Sequence, residues 1–258
     1  MAIHTNLKSL APRREQYKRN VRLVSGAFYD RKAFPTGEIT VYPWDSVLDA
    51  WLTERCRQPK REMALWDATA KVCDLKGCDV GKLLVSDAWT ILMVSKSIRN
   101  NCVVEYTAVC PNCNTEHSES VRVPDELEVS AKKELDFSGT ELITLPETKD
   151  AVKVKFLTIA DEISISERSP ELRNEMSDHL AHVLLPIIEI GGGAVENRQE
   201  ILTWYNALSP KDADYLDRQQ GSLYPHLNTD LPHVCDSCGR KFIYSLDLNT
   251  DFFRTGER

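Results

Sequence analysis

No stretch of 18 or more consecutive apolar residues occurs in this chain, so nothing in it reads as a membrane-spanning helix and no membrane insertion is expected. Residues Met1 to Arg14 hold no apolar core of the length an export signal needs, and the expectation is a protein of the reducing cytosol. Positive charge is also short: 32 Lys and Arg stand against 39 Asp and Glu, a formal net charge of −7. A molecule of that sign has no field to concentrate it on nucleic acid or anionic membranes. Glycine and proline, at 11 and 12 residues, are too few for a collagenous or low-complexity chain. Catalytic signatures are missing as well. There is no Gly-x-Ser-x-Gly elbow, the triple glycine 191–193 lacks the Gly-Lys-Ser/Thr of a phosphate loop, and His179 and His182 have no Glu to complete a metalloprotease pattern. The chain reads as non-enzymatic, with no small-molecule substrate.

What is present is an ordinary globular composition, 42% apolar and 28% charged over 258 residues, enough for one large domain or two small ones without disulfide staples. Eight cysteines therefore stand for another reason, as thiols or metal ligands. Residues 1–22 carry six basic side chains against Glu15 alone and read as a solvated basic N-terminal arm. From Leu23 the pattern becomes structured. Ile39, Val41 and Pro43 alternate as a strand, Ser46 is placed to cap a helix with Leu48, Trp51 and Leu52, and Met63, Trp66, Ala70 and Cys73 share a second helical face. Ser86 is placed to cap a third helix carrying Asp87, Ala88, Ile91, Leu92, Ser95 and Ile98. Val103 to Val109 and His117 to Val123 then alternate as two strands around Cys110-Pro111-Asn112-Cys113, a hairpin with cysteines at its tip.

An acidic, weakly periodic connector, 124–150, leads to a second unit over 151–258. A strand with Val152, Val154 and Phe156 is followed by a helix opened by Ser169-Pro170 and ended at Pro186. Gly191 to Gly193 form a turn, and a helix with Ile201, Leu202 and Leu208 follows. Another begins at Ser209-Pro210, with Asp212 at its third position and Gly221 as its expected C-terminal cap. Cys235-Asp236-Ser237-Cys238-Gly239 then precedes the alternating Phe242, Tyr244, Leu246 and Leu248. Strand, helices, a helix carrying Asp87 or Asp214, and a Cys-x-x-Cys hairpin thus occur twice. The expected fold class is α+β: two similar lobes, 23–123 and 151–258, from an internal duplication.

Two Cys-x₂-Cys pairs at hairpin tips offer Cys110, Cys113, Cys235 and Cys238 at the spacing structural zinc sites use, because two intervening residues let both sulfurs face one tetrahedral ion. Asn114 and Gly239 follow the second cysteine of each pair, where the chain must turn left-handed. The pairs are 121 residues apart, far more than a self-contained ribbon allows, so they meet only if folding of the two lobes brings them together. Four thiolates leave no open position for water or substrate, so the one Zn²⁺ expected here is structural. A Cys₃His variant using His117 or His233 remains open, and Arg240 and Lys241 are placed to offset the negative centre. Cys56, Cys73, Cys78 and Cys102 read as small buried residues. The alternative function is a zinc-ribbon nucleic-acid binder. Beyond residue 22, however, 26 basic residues face 38 acidic ones, and Glu105, Glu116, Glu119 and Asp236 flank the tips where a binder places Lys or Arg.

The duplicated plan, with Leu23-Val24-Ser25-Gly26 and Val41-Tyr42-Pro43, Asp87 ahead of Val103–Cys113, Asp214 ahead of Cys235–Cys238, and Asp251-Phe252-Phe253 closing the chain, resembles the baseplate hub proteins of T-even-like contractile-tailed bacteriophages. The likeness covers 23–253; Val24 stands where the family tends to have Pro, and the basic arm lies outside it. The resemblance implies a non-enzymatic structural or assembly protein that contacts other baseplate hub and tail proteins. Its setting is the host cytoplasm during assembly and then the virion tail baseplate.

Overall fold

A computed structural model describes residues 16–56, 61–130, 139–168, 173 and 176–246. Most of the basic arm, the Ser169-Pro170 helix start and Asp251-Phe252-Phe253 lie outside the described residues. The structure is a mixed α/β arrangement with several small antiparallel sheets rather than one large one.

β1 (Arg19–Arg22) pairs antiparallel with β2 (Glu38–Val41), and Val21, Ile39 and Val41 on one face are buried while Arg22 and Glu38 face out. The last four residues of the expected arm are therefore a strand, because Val21 has a core to enter. α1 (Ser46–Cys56) is capped not by Ser46 but by Asp45, whose carboxylate accepts from the Leu48 N–H at 2.8 Å. α2 (Arg61–Val72) buries Leu65, Trp66, Ala68, Thr69 and Val72, and Trp66 meets Trp89 edge-on at 5.5 Å. Ala70, expected on that face, is exposed, since the buried stripe follows the 65–68–69–72 rows.

α3 (Val85–Ser97) is buried almost all round, including Ala88, Ile91, Leu92, Met93 and Val94, so it forms the axis of the first core. Its first-turn boundary is Leu84, with no side-chain cap; Ser86 lies inside the helix. At its other end, Ser95 Oγ donates to the Tyr42 carbonyl at 2.8 Å and the Ser95 carbonyl accepts from Trp44, which ties the helix to the segment after β2. Burying one such Leu or Ile side chain contributes roughly 1.5–3 kcal/mol. β3 (Val103–Val109) and β4 (Glu116–Arg122) follow as the first Cys hairpin.

The connector is not featureless. Within it lie β5 (Val129–Ser130) and β6 (Thr140–Thr144). β6 pairs with β7 (Ala151–Lys155), β7 with β8 (Ile187–Ile190), and β8 with β9 (Gly193–Ala194) in a four-stranded sheet. Gly191 and Gly192 make the β8–β9 turn at φ +58° and +83°, a conformation glycine adopts without strain. α4 (Ile159–Ser166) opens with a capping box between Thr158 and Asp161. α5 (Asp178–Leu184), α6 (Arg198–Asn206) and α7 (Pro210–Leu223) cover the sheet. Gly221 sits inside α7 rather than capping it. β10 (His226–Leu227) pairs back to β5, and β11 (Asp230–Val234) with β12 (Lys241–Ser245) makes the second Cys hairpin.

Two main cores result. One is built on α2, α3 and β2; the other gathers Ile143, Leu145, Val152, Val154, Leu184, Ile201 and Leu216. Each takes in residues from the far side of the chain: Leu227 and Leu246 enter the first core and Leu84 the second.

Candidate metal centre

A helix with a buried aspartate at its third position precedes each Cys hairpin in the chain. Asp87, third residue of α3, is fully buried; its carboxylate accepts from Ser25 N–H at 3.1 Å, from Tyr29 O–H at 2.9 Å and from the Ser25 hydroxyl, all in the turn after β1. Asp212, third residue of α7, is equally buried and accepts from the N–H groups of Glu147 and Thr148 at 2.8 and 3.0 Å, in the turn after β6. The aspartate placed and buried like Asp87 is thus Asp212 and not Asp214, which is exposed and pairs with Arg218 one turn along the helix. Asp214 points to solvent because it lies two residues, about 200° of helix, beyond the buried position. In each half the chain then passes from this anchored helix to a hairpin.

The two tips share one backbone plan. Asn114 N–H donates to the Cys110 carbonyl at 2.9 Å and Cys110 N–H to the Thr115 carbonyl at 2.9 Å. Gly239 N–H donates to Cys235 at 2.8 Å and Cys235 N–H to Arg240 at 2.9 Å. Asn114 and Gly239 carry φ of +58° and +70°, the left-handed turn expected of both.

These tips meet. The Sγ atoms of Cys110, Cys113, Cys235 and Cys238 all lie within 4.8 Å of one another, with Cys110 to Cys238 at 3.7 Å and Cys113 to Cys235 at 3.5 Å. A tetrahedron of sulfurs about 2.3 Å from a central ion has edges of about 3.8 Å, so the donor set fits a four-sulfur metal site. No disulfide joins them. Cys110 and Cys235 are buried while Cys113 and Cys238 reach the surface, so the group sits at an edge of the molecule. Among the described residues no other group of three or more His, Cys, Asp or Glu side chains gathers this closely.

The surrounding polar atoms favour thiolates at the outer positions. The Thr115 hydroxyl, 3.2 Å from Cys113 Sγ, together with the Thr115 backbone, draws the Cys113 thiol down to about 6. Cys238 is lowered by the Arg240 backbone N–H and then by the Asn112 side chain across the interface, whereas burial pushes Cys235 up to about 11. A cation among the sulfurs removes that burial penalty by neutralising it.

Neither histidine joins the sulfurs. His233 Nε2 is 3.2 Å from the Tyr106 hydroxyl, and His117 Nδ1 faces Asp236 at 4.0 Å with its Nε2 buried and unpartnered. The Cys₃His variant is thus set aside, all four sulfurs being together. What sequence reasoning missed is the aromatic seam beneath: Tyr106 stacks on Tyr244 at 5.0 Å, and His233 stacks on Phe242 at 5.5 Å. Its only trace in the sequence is the period-two placement of Phe242 and Tyr244, which marks a half-buried strand face without naming what it faces. Stacked pairs of this kind contribute roughly 0.5–1.5 kcal/mol beyond their buried area.

The remaining candidates fall elsewhere. Cys73, Cys78 and Cys102 are buried, and burial pushes the Cys73 thiol up to about 12, while the side chain of Cys56 lies outside the described residues. His179 pairs with Asp217 at 3.3 Å and His182 with Glu162 at 3.0 Å, on separate partners. Glu105, Glu116, Glu119 and Asp236 are exposed around the hairpins, so the nucleic-acid reading gains no support. No helix among the described residues is long and apolar enough to cross a membrane.

The family described as T4 bacteriophage base plate protein matches residues 75–254, which take in α3, both Cys hairpins and everything between them. No curated protein and no solved structure matches the chain.

Proposed function

The chain belongs to the T4 bacteriophage base plate protein family, and from that premise we propose that it is a non-enzymatic structural or assembly protein of the baseplate hub of a contractile-tailed phage, its shape held by one structural zinc. Family membership makes it a phage tail protein that contacts other tail proteins. The hub as its place, and the host cytoplasm as its setting during assembly, are the finer part of the reading.

The observation that carries it is the meeting of two thiol pairs, 121 residues apart in the chain, within 4.8 Å. Four sulfurs complete a tetrahedron and leave no site for substrate, which suits a clasp and not a catalyst. An apparent binding free energy on the order of 10 kcal/mol would bear directly on whether the two hairpins stay joined. Zinc is the ion we assign, from the all-sulfur donor set at this spacing.

We also read the two halves as copies of one unit, divided as arm 1–22, lobe 23–123, connector 124–150 and lobe 151–258. Three features support the duplication. Asp87 and Asp212 occupy the third position of their helices, both anchor the turn of a preceding hairpin, and both stand at the same distance from their Cys pair, 23 residues before Cys110 and before Cys235. The insertion that separates the copies is the β8–β9 hairpin, which widens the second sheet.

Elemental analysis of purified full-length protein is expected to give one zinc per chain, and a cobalt-substituted sample the spectrum of four thiolates with no open position. Substoichiometric metal, or a spectrum of an open site, overturns the clasp. Pull-down from phage-infected cells is expected to recover other baseplate hub proteins; recovery of tail-tube or sheath proteins alone overturns the hub assignment without touching the metal.

A further inference from the structure

The four clustered cysteines divide by exposure as well as by hairpin. Cys113 and Cys238 reach the surface, while Cys110 and Cys235 are buried. Two sulfur contacts under 4 Å cross from one tip to the other, and each joins an exposed thiol to a buried one: Cys113 to Cys235 and Cys238 to Cys110.

The hairpins are joined by more than sulfur. Tyr106 of β3 stacks on Tyr244 of β12, its hydroxyl meets His233 Nε2 of β11 at 3.2 Å, and the His117 ring of β4 lies 6.3 Å from that of Phe242. Those rings keep the crossing sulfurs in contact by packing alone. A disulfide needs the sulfurs at about 2.05 Å, so the Cys113–Cys235 contact has only about 1.5 Å to close. Across the tips, side-chain torsions and a small shift of one hairpin supply that movement. Within a tip both sulfurs hang from one turn, which the Asn114 and Cys110 N–H bonds, or those of Gly239 and Cys235, hold at fixed spacing.

We propose that these contacts are two oxidation sites, Cys113 with Cys235 and Cys238 with Cys110, which a hydroperoxide converts to disulfides between the hairpins rather than within either Cys-x-x-Cys pair. The proposal deepens the clasp reading and rests on the same four sulfurs, covalent bonds joining the hairpins once the ion has left. At each site the exposed thiolate attacks a peroxide oxygen, the O–O bond breaks, and hydroxide leaves a sulfenic acid on Cys113 or Cys238. The buried thiolate of the other tip attacks that sulfur, the S–O bond breaks, and a second hydroxide departs. Two thiolates lose two electrons and one peroxide becomes two hydroxides; zinc held by the sulfurs is released as Zn²⁺ with its oxidation state unchanged.

The test treats the reduced full-length chain with hydrogen peroxide, as purified and after removal of metal by a chelator, blocks remaining thiols with N-ethylmaleimide, and maps tryptic peptides without reduction. Peptides 100–122 and 219–240, which carry the two tips, are expected to run as one linked species, with fragmentation assigning Cys113 to Cys235 and Cys110 to Cys238. Any other pairing, covalent dimers, sulfinic acids in place of disulfides, or thiols that stay free overturn the proposal. The oxidised, metal-free chain is expected to melt at least about 10 °C above the reduced, metal-free chain, because each bond closes a loop of more than a hundred residues in the unfolded state. An unchanged Tm counts against it. Zinc analysis of the untreated sample judges the metal separately: linked tips in a chain without zinc keep this proposal and remove the metal reading, and zinc in a chain whose tips do not link does the reverse.

Discussion

Two carboxylates, Asp87 and Asp212, hold the same place in the two halves and bind it in different ways. Asp87 faces the Ser25 and Tyr29 hydroxyls and one backbone N–H, in full burial. Burial pushes its carboxyl above the ordinary range despite those donors. Asp212 faces two backbone N–H groups of a tight turn; burial opposes ionisation there too, yet the Glu147 and Thr148 amides bring it below the ordinary range. One helix position can thus anchor one type of hairpin turn with opposite proton affinities. The donor set decides which, and hydroxyls can turn away while backbone amides cannot.

The largest effect tests whether the halves are equal partners in the clasp. Under the proposed clasp, Cys110→Ala and Cys235→Ala are each expected to abolish metal binding and lower Tm by about 10 °C or more in calorimetry. A large loss from one and none from the other breaks the symmetry. Next come the cores. Leu92→Ala in the first and Leu184→Ala in the second remove fully buried side chains and are each expected to cost about 2–5 kcal/mol by denaturant titration. A single shared transition in both variants means the cores unfold as one; two transitions mean they are separable lobes.

The carboxylates give a smaller difference. Asp212→Asn leaves one of two backbone donors facing an amide NH₂ and is expected to lower Tm by several degrees, while Asp87→Asn keeps an acceptor for Ser25 N–H and is expected to cost about half as much. Equal losses would erase the contrast. The smallest effect is its pH dependence. Asp212, with a depressed folded value, contributes stability above the unfolded value near 4 that is lost as pH falls through the folded value. Asp87, with a raised one, contributes stability that is complete below about pH 4 and lost as pH rises through the folded value. The Tm gap between wild type and Asp212→Asn is therefore expected to narrow on acidification from pH 7 to 3, and the gap to Asp87→Asn to widen.

Much of this was legible residue by residue. The alternation around Cys110–Cys113 and the left-handed residues Asn114 and Gly239 are local signals, and both hairpins form where they point. The Ser209-Pro210 start of α7 is equally local, its hydroxyl accepting from the Asp212 N–H. Readings failed where two local rules competed. Asp45 outranked Ser46 as a cap by reaching the Leu48 N–H. Gly221 was absorbed because α7 runs on to Leu223, where a buried leucine makes the extra turn worthwhile. Asp214 carried the same letter as Asp212 but the wrong helical phase.

By itself the amino-acid order determined the spacing of the thiols, the turns that present them, the start of α7 and the sign of the net charge. These depend on contacts within a few residues, where backbone geometry leaves little choice. Only the tertiary structure decided that Cys110 and Cys113 face Cys235 and Cys238, that Tyr106 lies on Tyr244, and which aspartate is buried. The sulfur and tyrosine meetings span more than a hundred residues and the aspartate contacts more than fifty, and their free energy comes from how two cores pack, a sum over many contacts that no short stretch of chain records.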